Sequence, residues 1–239
     1  MNIYVLNKSS AILDQEIQSW IPAFNKFISH VRTYWPRPAT AVWCDRTKEP
    51  ANAWKLVFAD TSDVADILGL HNYTPGGKPI SYVFVVDDMK YGYNPTVTAT
   101  HEICEMIADP WISQAFQVNN TQFYAQEIGD PVEADELGFT ISVPGFPDVV
   151  CSDFVLPNWF IPGAPPKYDF LDHCTQPLQL KPGGYMSIFQ SGSGWHQIYA
   201  QTVSGVVAKA NMGDGIMKQD GYGRLERYGR DRGPAKIKL

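Results

Sequence analysis

The segment Thr96–Ala108, which reads TVTATHEICEMIA and stops just before Pro110, decides the fold of this chain. Apolar side chains recur along it at the three- to four-residue spacing of one helix face, which predicts a helix that ends before the proline. The core-facing side of this helix is supplied by Val97, Ile103, Met106 and Ile107. His101 and Glu105 lie four residues apart, so they share another face of the helix, one turn from each other.

The polar face of this helix carries the residue types of a metal site. An imidazole nitrogen of His101 and a carboxylate oxygen of Glu105 can bind one divalent ion, and Glu102 points about a third of a turn away. A carboxylate in that position can take a proton from a water bound to the ion. The motif is H-E-x-x-H with glutamate in place of the second histidine. From the helix alone, a solvated surface with an acidic pair is an equal alternative.

A second acidic segment follows downstream of the helix. Its carboxylates, interleaved with apolar residues, are Glu127, Asp130, Glu133, Asp135 and Glu136. A metal bound by one histidine and one glutamate needs at least one more protein ligand and an open position for water. This acidic segment can supply that third ligand. A solvated acidic loop and a calcium site within residues 127–136 are the alternatives for the segment.

These residues also carry a resemblance to a known family. The helix resembles that of zincin metallopeptidases, in which H-E-x-x-H supplies two metal ligands and the general base. More closely, His101-Glu102-x-x-Glu105-x-x-x-Asp109-Pro110 followed by Glu127-x-x-Asp130 is similar to a group of zincin-like proteins of bacteriophages and bacteria. The segments 152–157, 168–170 and 183–186 look like the same group, so the likeness covers roughly residues 70–195. Glu127 lies 22 residues beyond Glu105, about the interval at which Glu-zincins place their third ligand on a second helix.

The resemblance implies a zinc-dependent peptidase, or a protein derived from one, that acts on a peptide or protein substrate. It implies His101 and Glu105 as ligands of one zinc ion, Glu127 or Asp130 as the third ligand, and Glu102 as the general base. Two carboxylate ligands would weaken the pull of the ion on its bound water and raise the pKa of that water. The alternative is a non-catalytic structural or assembly protein of a phage particle that keeps the fold.

The order of the predicted elements indicates an α+β fold. The strands are predicted at Asn2–Leu6, Thr40–Cys44, Trp54–Ala59, Ile80–Val86, Phe139–Val143, Asp148–Val150 and Tyr185–Phe189. The helices are predicted at Ala11–Val31, Ser62–Leu68, Thr96–Ala108 and Trp195–Ala208. By analogy with zincins, this order predicts a mixed sheet with one backing helix, kinked or split at Pro22, and with the active-site helix beneath the sheet. After Pro110 we expect an irregular, loop-rich C-terminal half.

The charge distribution divides the chain into an acidic body and a basic tail. The whole chain has a net charge of −6, yet the glycine-rich segment 205–239 holds twice as many basic as acidic side chains. We therefore expect a zincin-like metallopeptidase-type domain at 1–204 and a basic tail at 205–239. The tail is either a solvated extension or a segment that contacts an acidic neighbour, such as another phage structural protein. An acidic body repels phosphate, which argues against nucleic acid as a partner.

The same sequence bears on the compartment. We find no secretory signal at Met1 and no run of about 18 apolar residues, so we expect no membrane partner and a location in the host cytoplasm or on the virion. The chain has four widely spaced cysteines and no CxxC pair, which favours buried thiols over a disulfide framework. Weaker site candidates are His173 as a ligand, Met186 as an apolar floor, and His196, Tyr168 and Tyr185 as oxyanion donors.

Overall fold

The computed structural model describes residues 1–63 and 67–200. The strands are β1 (Asn2–Asn7), β2 (Thr40–Trp43), β3 (Trp54–Ala59), β4 (Gly69–Tyr73), β5 (Pro79–Phe84), β6 (Ala115–Gln117), β7 (Gln122–Ala125), β8 (Phe139–Ile141), β9 (Val149–Cys151), β10 (Tyr185–Gln190) and β11 (Gly194–Tyr199). The helices are α1 (Asp14–Tyr34), α2 (Val85–Tyr91) and α3 (Pro95–Ala108), with short 3-10 helices at Arg46–Lys48, Asp130–Val132, Asp135–Leu137 and Pro157–Phe160. The predicted α+β class with a mixed sheet is confirmed.

Five strands form the larger sheet, in the order β2-β1-β3-β5-β4. The strands β2, β1, β3 and β5 run parallel to one another, and β4 at the edge runs antiparallel to β5. The turn between β4 and β5 is closed by the Gly77 N–H, which donates to the Thr74 carbonyl over 2.8 Å. Gly77 has φ 71°, a left-handed conformation that glycine adopts without steric cost. β4 is absent from the sequence-based elements, although it precedes a turn of glycine, lysine and proline.

Helices α1 and α3 pack on the same face of this sheet. Ile3 and Phe58 on the sheet, Phe24 on α1 and Ile103 on α3 all belong to one buried apolar cluster. The opposite face carries a smaller buried cluster that includes Val57, the residue before Phe58 on β3. Because successive side chains of a strand point to opposite faces, the two clusters mark the two sides of the sheet. The motif helix therefore lies against the sheet on the side that holds the main core.

Helix α1 is continuous through Pro22, so the split considered at this proline does not occur. A proline inside a helix costs about 3 kcal/mol because it removes one backbone hydrogen bond and crowds the preceding turn. Trp20, Ala23 and Phe24 on both sides of the proline are buried in the core. Burial of each large apolar side chain stabilises the helix by about 1.5–3 kcal/mol. Packing on both sides of Pro22 therefore holds the helix together.

Asn25 of α1 completes the outer edge of β2. Its side-chain amide donates from Nδ2 to the Ala41 carbonyl over 3.0 Å, and its Oδ1 accepts from the Ala41 N–H over 2.8 Å. β2 is the first strand in the sheet order, so this edge has no further strand beside it. The asparagine satisfies the backbone groups that an edge strand otherwise leaves unpaired.

Both ends of α3 are fixed by local hydrogen bonds. The helix begins at Pro95, one residue before the predicted start, and ends at Ala108 as predicted. Asn94 is its N-cap, because its Oδ1 accepts from the Thr96 N–H over 3.0 Å. Beyond the other end, the Asp109 carboxylate accepts two backbone N–H bonds of 2.8 Å from the turn that follows. The register of the helix, and hence the direction of its polar face, is set at both ends.

Two predicted elements of the first half differ from the structure. The strand predicted at Ile80–Val86 ends at Phe84, because the chain turns directly into α2 at Val85. α2 has apolar residues in a continuous run with the strand, so composition does not mark the boundary. Of the helix predicted at Ser62–Leu68, residues 64–66 lie outside the described residues, and Ile67 and Leu68 are not helical.

The second half contains antiparallel pairs among its loops. One sheet has the order β11-β10-β7-β6, and β8 pairs with β9. The helix predicted at Trp195–Ala208 is wrong over its first part, where β11 pairs with β10 through a turn containing Gly192. The remainder of that segment and the predicted tail 205–239 lie outside the described residues. Within the described residues, all four cysteines are buried free thiols, and no helix is long and apolar enough to cross a bilayer.

Candidate metal centre

The polar face of α3 meets the start of a 3-10 helix. His101 Nε2 lies 3.3 Å from Glu105 Oε1 on the same helix and 3.4 Å from Oδ1 of Asp130. Asp130 is the first residue of the 3-10 helix Asp130–Val132, and its carboxylate lies next to His101 on α3. The structure thus brings together the two predicted helix residues and one of the two candidate third ligands.

The distances within this group suit atoms that share one ion. Two ligand atoms bound to a tetrahedral zinc at about 2.0–2.2 Å stand roughly 3.4 Å apart. Direct hydrogen bonds between a charged N–H and a carboxylate are shorter, about 2.7–2.9 Å. The 3.3 Å and 3.4 Å separations from His101 match the first geometry. One imidazole and two carboxylates are also a donor set that zinc accepts.

Gly129 provides the space that the His101 ring occupies. A Cβ at Gly129 would stand 2.5 Å from Nδ1 of His101, closer than any side chain tolerates. The Gly129 N–H points at Glu105 Oε1 over 3.4 Å, so the same residue also contacts the second member of the group. Glycine is required here for close approach rather than for an unusual backbone conformation, since its φ is −82°.

Tyr185, the first residue of β10, supports Asp130 from the other side. Its hydroxyl is hydrogen-bonded to the Asp130 carboxylate. Burial raises the pKa of Tyr185 well above its usual value, and the carboxylates of Asp130, Glu133 and Glu105 raise it further. The tyrosine therefore remains a neutral donor, and it orients Asp130 toward His101. Of the three proposed oxyanion donors, it is the one whose hydrogen bond reaches this group.

The centre concentrates negative charge in a buried place. Burial raises the pKa of Glu105 well above its usual value, Asp130 and Glu127 raise it further, and His101 opposes them. Burial of the His101 ring lowers its pKa, but the Glu105 and Asp130 carboxylates outweigh burial and raise it well above 6.5. Burial also raises the pKa of Glu133 to about 8. The group needs bound protons or a bound cation to balance its carboxylates.

Glu102 lies on the side of α3 that faces the sheet. Its side chain is 4% exposed, and its Oε1 stands 2.3 Å from the position that a Cβ on Gly69 of β4 would take. Glycine at position 69 therefore leaves room for the carboxylate between the helix and the edge strand. Glu102 is not among the residues that form the His101 group.

Glu127, the other candidate third ligand, belongs to a different group. It lies in the loop after β7, not on a second helix, and its side chain meets Glu105 and His71. The ligand atoms of these three buried residues lie within 4.8 Å of one another. His71 was not found from the sequence because its strand, β4, was not predicted. The residues Gly76-Gly77-Lys78-Pro79 favour a turn before the strand predicted at Ile80, and this turn could have indicated β4, since a hairpin turn requires a strand on each side.

The weaker candidates have other contacts. The Tyr168 hydroxyl donates to the Ala164 carbonyl over 2.8 Å, and His196 Nε2 pairs with Ser193 Oγ over 2.7 Å. Met186 is partly buried at the edge of the main core cluster. His173 forms a third group with Asp153 and Asp169.

The remaining acids of the 127–136 segment do not join a ligand group. Among the described residues, the groups able to hold an ion include Glu127 and Asp130 but not Glu133, Asp135 or Glu136. Asp135 instead accepts the Asn94 N–H over 2.8 Å, just before the start of α3. Within the described residues, the segment therefore offers one candidate ligand to the His101 group, Asp130, and one to the His71 group, Glu127.

No protein-family model, curated protein or solved structure matches this chain. The assignment of function therefore depends on the geometry of the centre and on the sequence resemblance.

Proposed function

We propose that this chain is a zinc-dependent hydrolase of the zincin type that acts on peptide bonds, or a protein derived from one. The observation that carries the proposal is the convergence of His101, Glu105 and Asp130 at separations of 3.3 and 3.4 Å. These three residues would hold the ion. Glu102, one residue after His101 on the same helix, would be the general base.

The arrangement of the sheet and helices supports the zincin-like part of the proposal. The zincin arrangement predicted from the sequence has a mixed sheet, a backing helix and an active-site helix beneath the sheet. The five-stranded mixed sheet, with α1 and α3 on one face, agrees with it. The motif helix also packs under β4, the antiparallel edge strand, where Gly69 contacts Glu102.

Each protein group has a task in this proposal. Zinc, when bound, would polarise a peptide carbonyl and lower the pKa of a water. Glu102 would take the proton of that water on its carboxylate and return it to the leaving amine. Tyr185 would keep Asp130 in place through its hydroxyl. Two carboxylate ligands would acidify the water less than three histidines, so we expect a slow enzyme with an alkaline optimum.

The first test is the substitution Glu102→Gln, which keeps the size of the side chain and removes its basicity. We expect hydrolysis of an unfolded protein substrate such as casein to fall by about 10²–10⁴-fold, because that is the usual contribution of a general base. Zinc content, measured by plasma mass spectrometry, should stay the same. Glu136→Gln, at an exposed acid of the downstream segment, is the matched control and should keep full activity.

A second candidate is a non-catalytic structural or assembly protein of a phage particle. The burial of Glu102 against β4, at 4% exposure, favours it because a general base must reach the water that it deprotonates. Under this candidate the wild-type chain binds zinc, cleaves nothing and co-purifies with a large assembly. Deletion of residues 213–239 should then release it from that assembly, as seen by gel filtration.

A further inference from the structure

Three buried side chains meet on the side of Glu105 that faces the sheet. His71 comes from β4, Glu105 from α3 and Glu127 from the loop after β7, and they are 1%, 4% and 7% exposed. One ligand atom from each lies within 4.8 Å of the others. The group has the same composition as the His101 group, one imidazole and two carboxylates, and it shares Glu105 with that group.

The strand geometry explains why His71 reaches α3. Gly69 and His71 are two residues apart on β4, so their Cα–Cβ directions point to the same face of the sheet. A Cβ on Gly69 would point at the Glu102 carboxylate, which identifies this face as the one that α3 covers. Glu105 follows Glu102 by three residues, one helical turn along α3. His71 and Glu105 therefore meet next to the contact between Gly69 and Glu102, two residues further along β4 and one turn further along α3.

The residues before and after Glu127 hold this part of the chain in place. The Gln126 side chain donates to the Ala108 carbonyl at the end of α3 over 2.9 Å. The Ile128 carbonyl accepts the Val155 N–H over 2.8 Å. Because the residues on both sides are fixed, the backbone at Glu127 is held close to the end of α3. The group is thus pre-formed by three separate elements of the fold.

The chemistry of the group favours a cation as the occupant. Two carboxylates in a place closed to water lose much of their hydration, which is costly unless positive charge is nearby. Oxygen and imidazole donors together suit divalent ions such as zinc. A carboxylate has two oxygens and can contact an ion on each side, as in two-metal sites whose ions lie about 3.5–4 Å apart.

We propose that His71, Glu105 and Glu127 bind a second divalent cation, with Glu105 bridging it to the ion of the His101 group. This proposal rests on the proposed function, because Glu105 belongs to both sites. The second site is structural, since its three ligands are buried whereas the His101 side chain is 13% exposed. It ties the edge strand and the Glu127 loop to α3.

The test counts zinc ions in the full-length chain. Protein stripped with a chelator is reloaded with excess zinc chloride, desalted and analysed by plasma mass spectrometry. The wild type should hold two zinc ions per chain, and His71→Ala and His101→Ala should hold one each. His196→Ala is the matched control, because its ring pairs with Ser193 and belongs to neither site, and it should hold two.

A stability measurement guards against a variant that fails to fold. His71→Gln keeps most of the side-chain volume, and circular dichroism should show the wild-type spectrum for it in the absence of zinc. Zinc raises the melting temperature by binding the folded state, so losing one of two sites should reduce that rise. We expect a zinc-dependent increase that is smaller by several degrees in His71→Gln than in the wild type.

The possible counts separate the two proposals. A wild type with one ion that His71→Ala retains and His101→Ala loses overturns the second site and leaves the proposed function in place. One ion that is lost in His71→Ala and kept in His101→Ala overturns the pair of bridged sites and the His101 ligand set, and with that ligand set the proposed function. A wild type that binds no zinc overturns both proposals.

Discussion

The His101 group can be compared directly with a second region of the chain, because each joins one histidine to two buried carboxylates. In the first, His101 stands 3.3 Å from Glu105 and 3.4 Å from Asp130. In the second, His173 Nδ1 stands 3.0 Å from Asp153 Oδ2, a normal hydrogen-bond length. The residue types are alike, and the spacing differs.

The second region satisfies its carboxylates with hydrogen bonds of the chain itself. Asp169 accepts the backbone N–H groups of Leu171, His173 and Cys174. Burial raises the pKa of Asp169, but the Cys174 and His173 N–H groups and a hydrogen bond with Asp153 outweigh burial and hold the pKa below its usual value. In the first region, within the part of the chain that the structure describes, Glu105 accepts one backbone N–H from another segment, that of Gly129, at the long distance of 3.4 Å.

The difference teaches that composition alone does not identify a metal site. Carboxylates that accept several backbone N–H groups close a loop and stabilise the fold, as Asp169 does. Carboxylates that face an imidazole at the separation of two ligands leave room for an ion between them. The following predictions test this distinction, starting with the largest effect.

The largest effect is expected from removing the histidine of each region. His101→Ala should weaken zinc binding at its site by more than about 100-fold, because even groups that only support a ligand contribute about 10–100-fold. His173→Ala should leave zinc binding unchanged. Isothermal titration of the metal-stripped variants with zinc measures both. Equal losses in the two variants would mean that the regions do not differ as described.

The second effect concerns the stability of the loop around Asp169. Asp169→Ala leaves three backbone N–H groups without their acceptor, and we expect a loss of about 3 kcal/mol in the free energy of unfolding. Asp172→Asn, at a neighbouring exposed position, should change it by less than about 0.5 kcal/mol. Urea unfolding of both variants checks the difference. A loss below about 1 kcal/mol in Asp169→Ala would contradict the loop-closing role.

A smaller effect is expected at Gly129. The Cβ of Gly129→Ala would stand 2.5 Å from His101 Nδ1, so the ring must move away from Glu105 and Asp130. We expect zinc affinity to fall by about 10-fold, the effect of disturbing a ligand without removing it. Gly76→Ala is the control, because its nearest neighbour would be 3.8 Å away. Unchanged affinity in Gly129→Ala would show that the ring position does not matter for binding.

The smallest effect, counted per pH unit, is a pH dependence of the free energy of unfolding that comes from Asp153. Burial, together with the neighbouring Asp169 carboxylate, raises the pKa of Asp153 to about 9 in the folded chain, against about 3.9 when unfolded. The folded chain therefore holds an extra proton between these values. The resulting stability is complete below about pH 4 and is lost as the pH rises through about 9.

The comparison variant for this effect is Asp153→Asn, which cannot titrate. Between about pH 5 and pH 9, the free energy of unfolding of the wild type should fall relative to Asp153→Asn, by up to about 1.4 kcal/mol per pH unit. Urea unfolding at a series of pH values gives the two curves. Parallel curves would show that Asp153 ionises normally.

Much of the first half was predictable because its elements have strong periodicity. The strand Trp54–Ala59 and the C-terminal end of α3 agree with the sequence-based bounds, and the four-residue spacing of His101 and Glu105 brings them together. The start of α3 lies one residue before the predicted one, because the cap at Asn94 allows Pro95 to be the first helical residue. These features depend on neighbours close in sequence.

The rest of the centre depends on contacts between distant segments. The sequence left Glu127 and Asp130 as equal candidates, because the path of the loop after β7 is decided by hydrogen bonds to α3 and to Val155. His71 was missed because β4 is a short edge strand with glycine and asparagine in it. At Trp195 the helical reading was wrong, because pairing with β10 outweighs local preference.

The amide of Asn25 has a consequence for how this molecule meets its own copies. At Ala41 it occupies the place that the backbone of an incoming chain would need in order to extend the sheet. A copy of the protein that adds a strand at the edge of β2 would first have to displace the Asn25 side chain, which is anchored on a 21-residue helix. The Asn25 side chain therefore protects this edge of the sheet against amyloid-like strand addition.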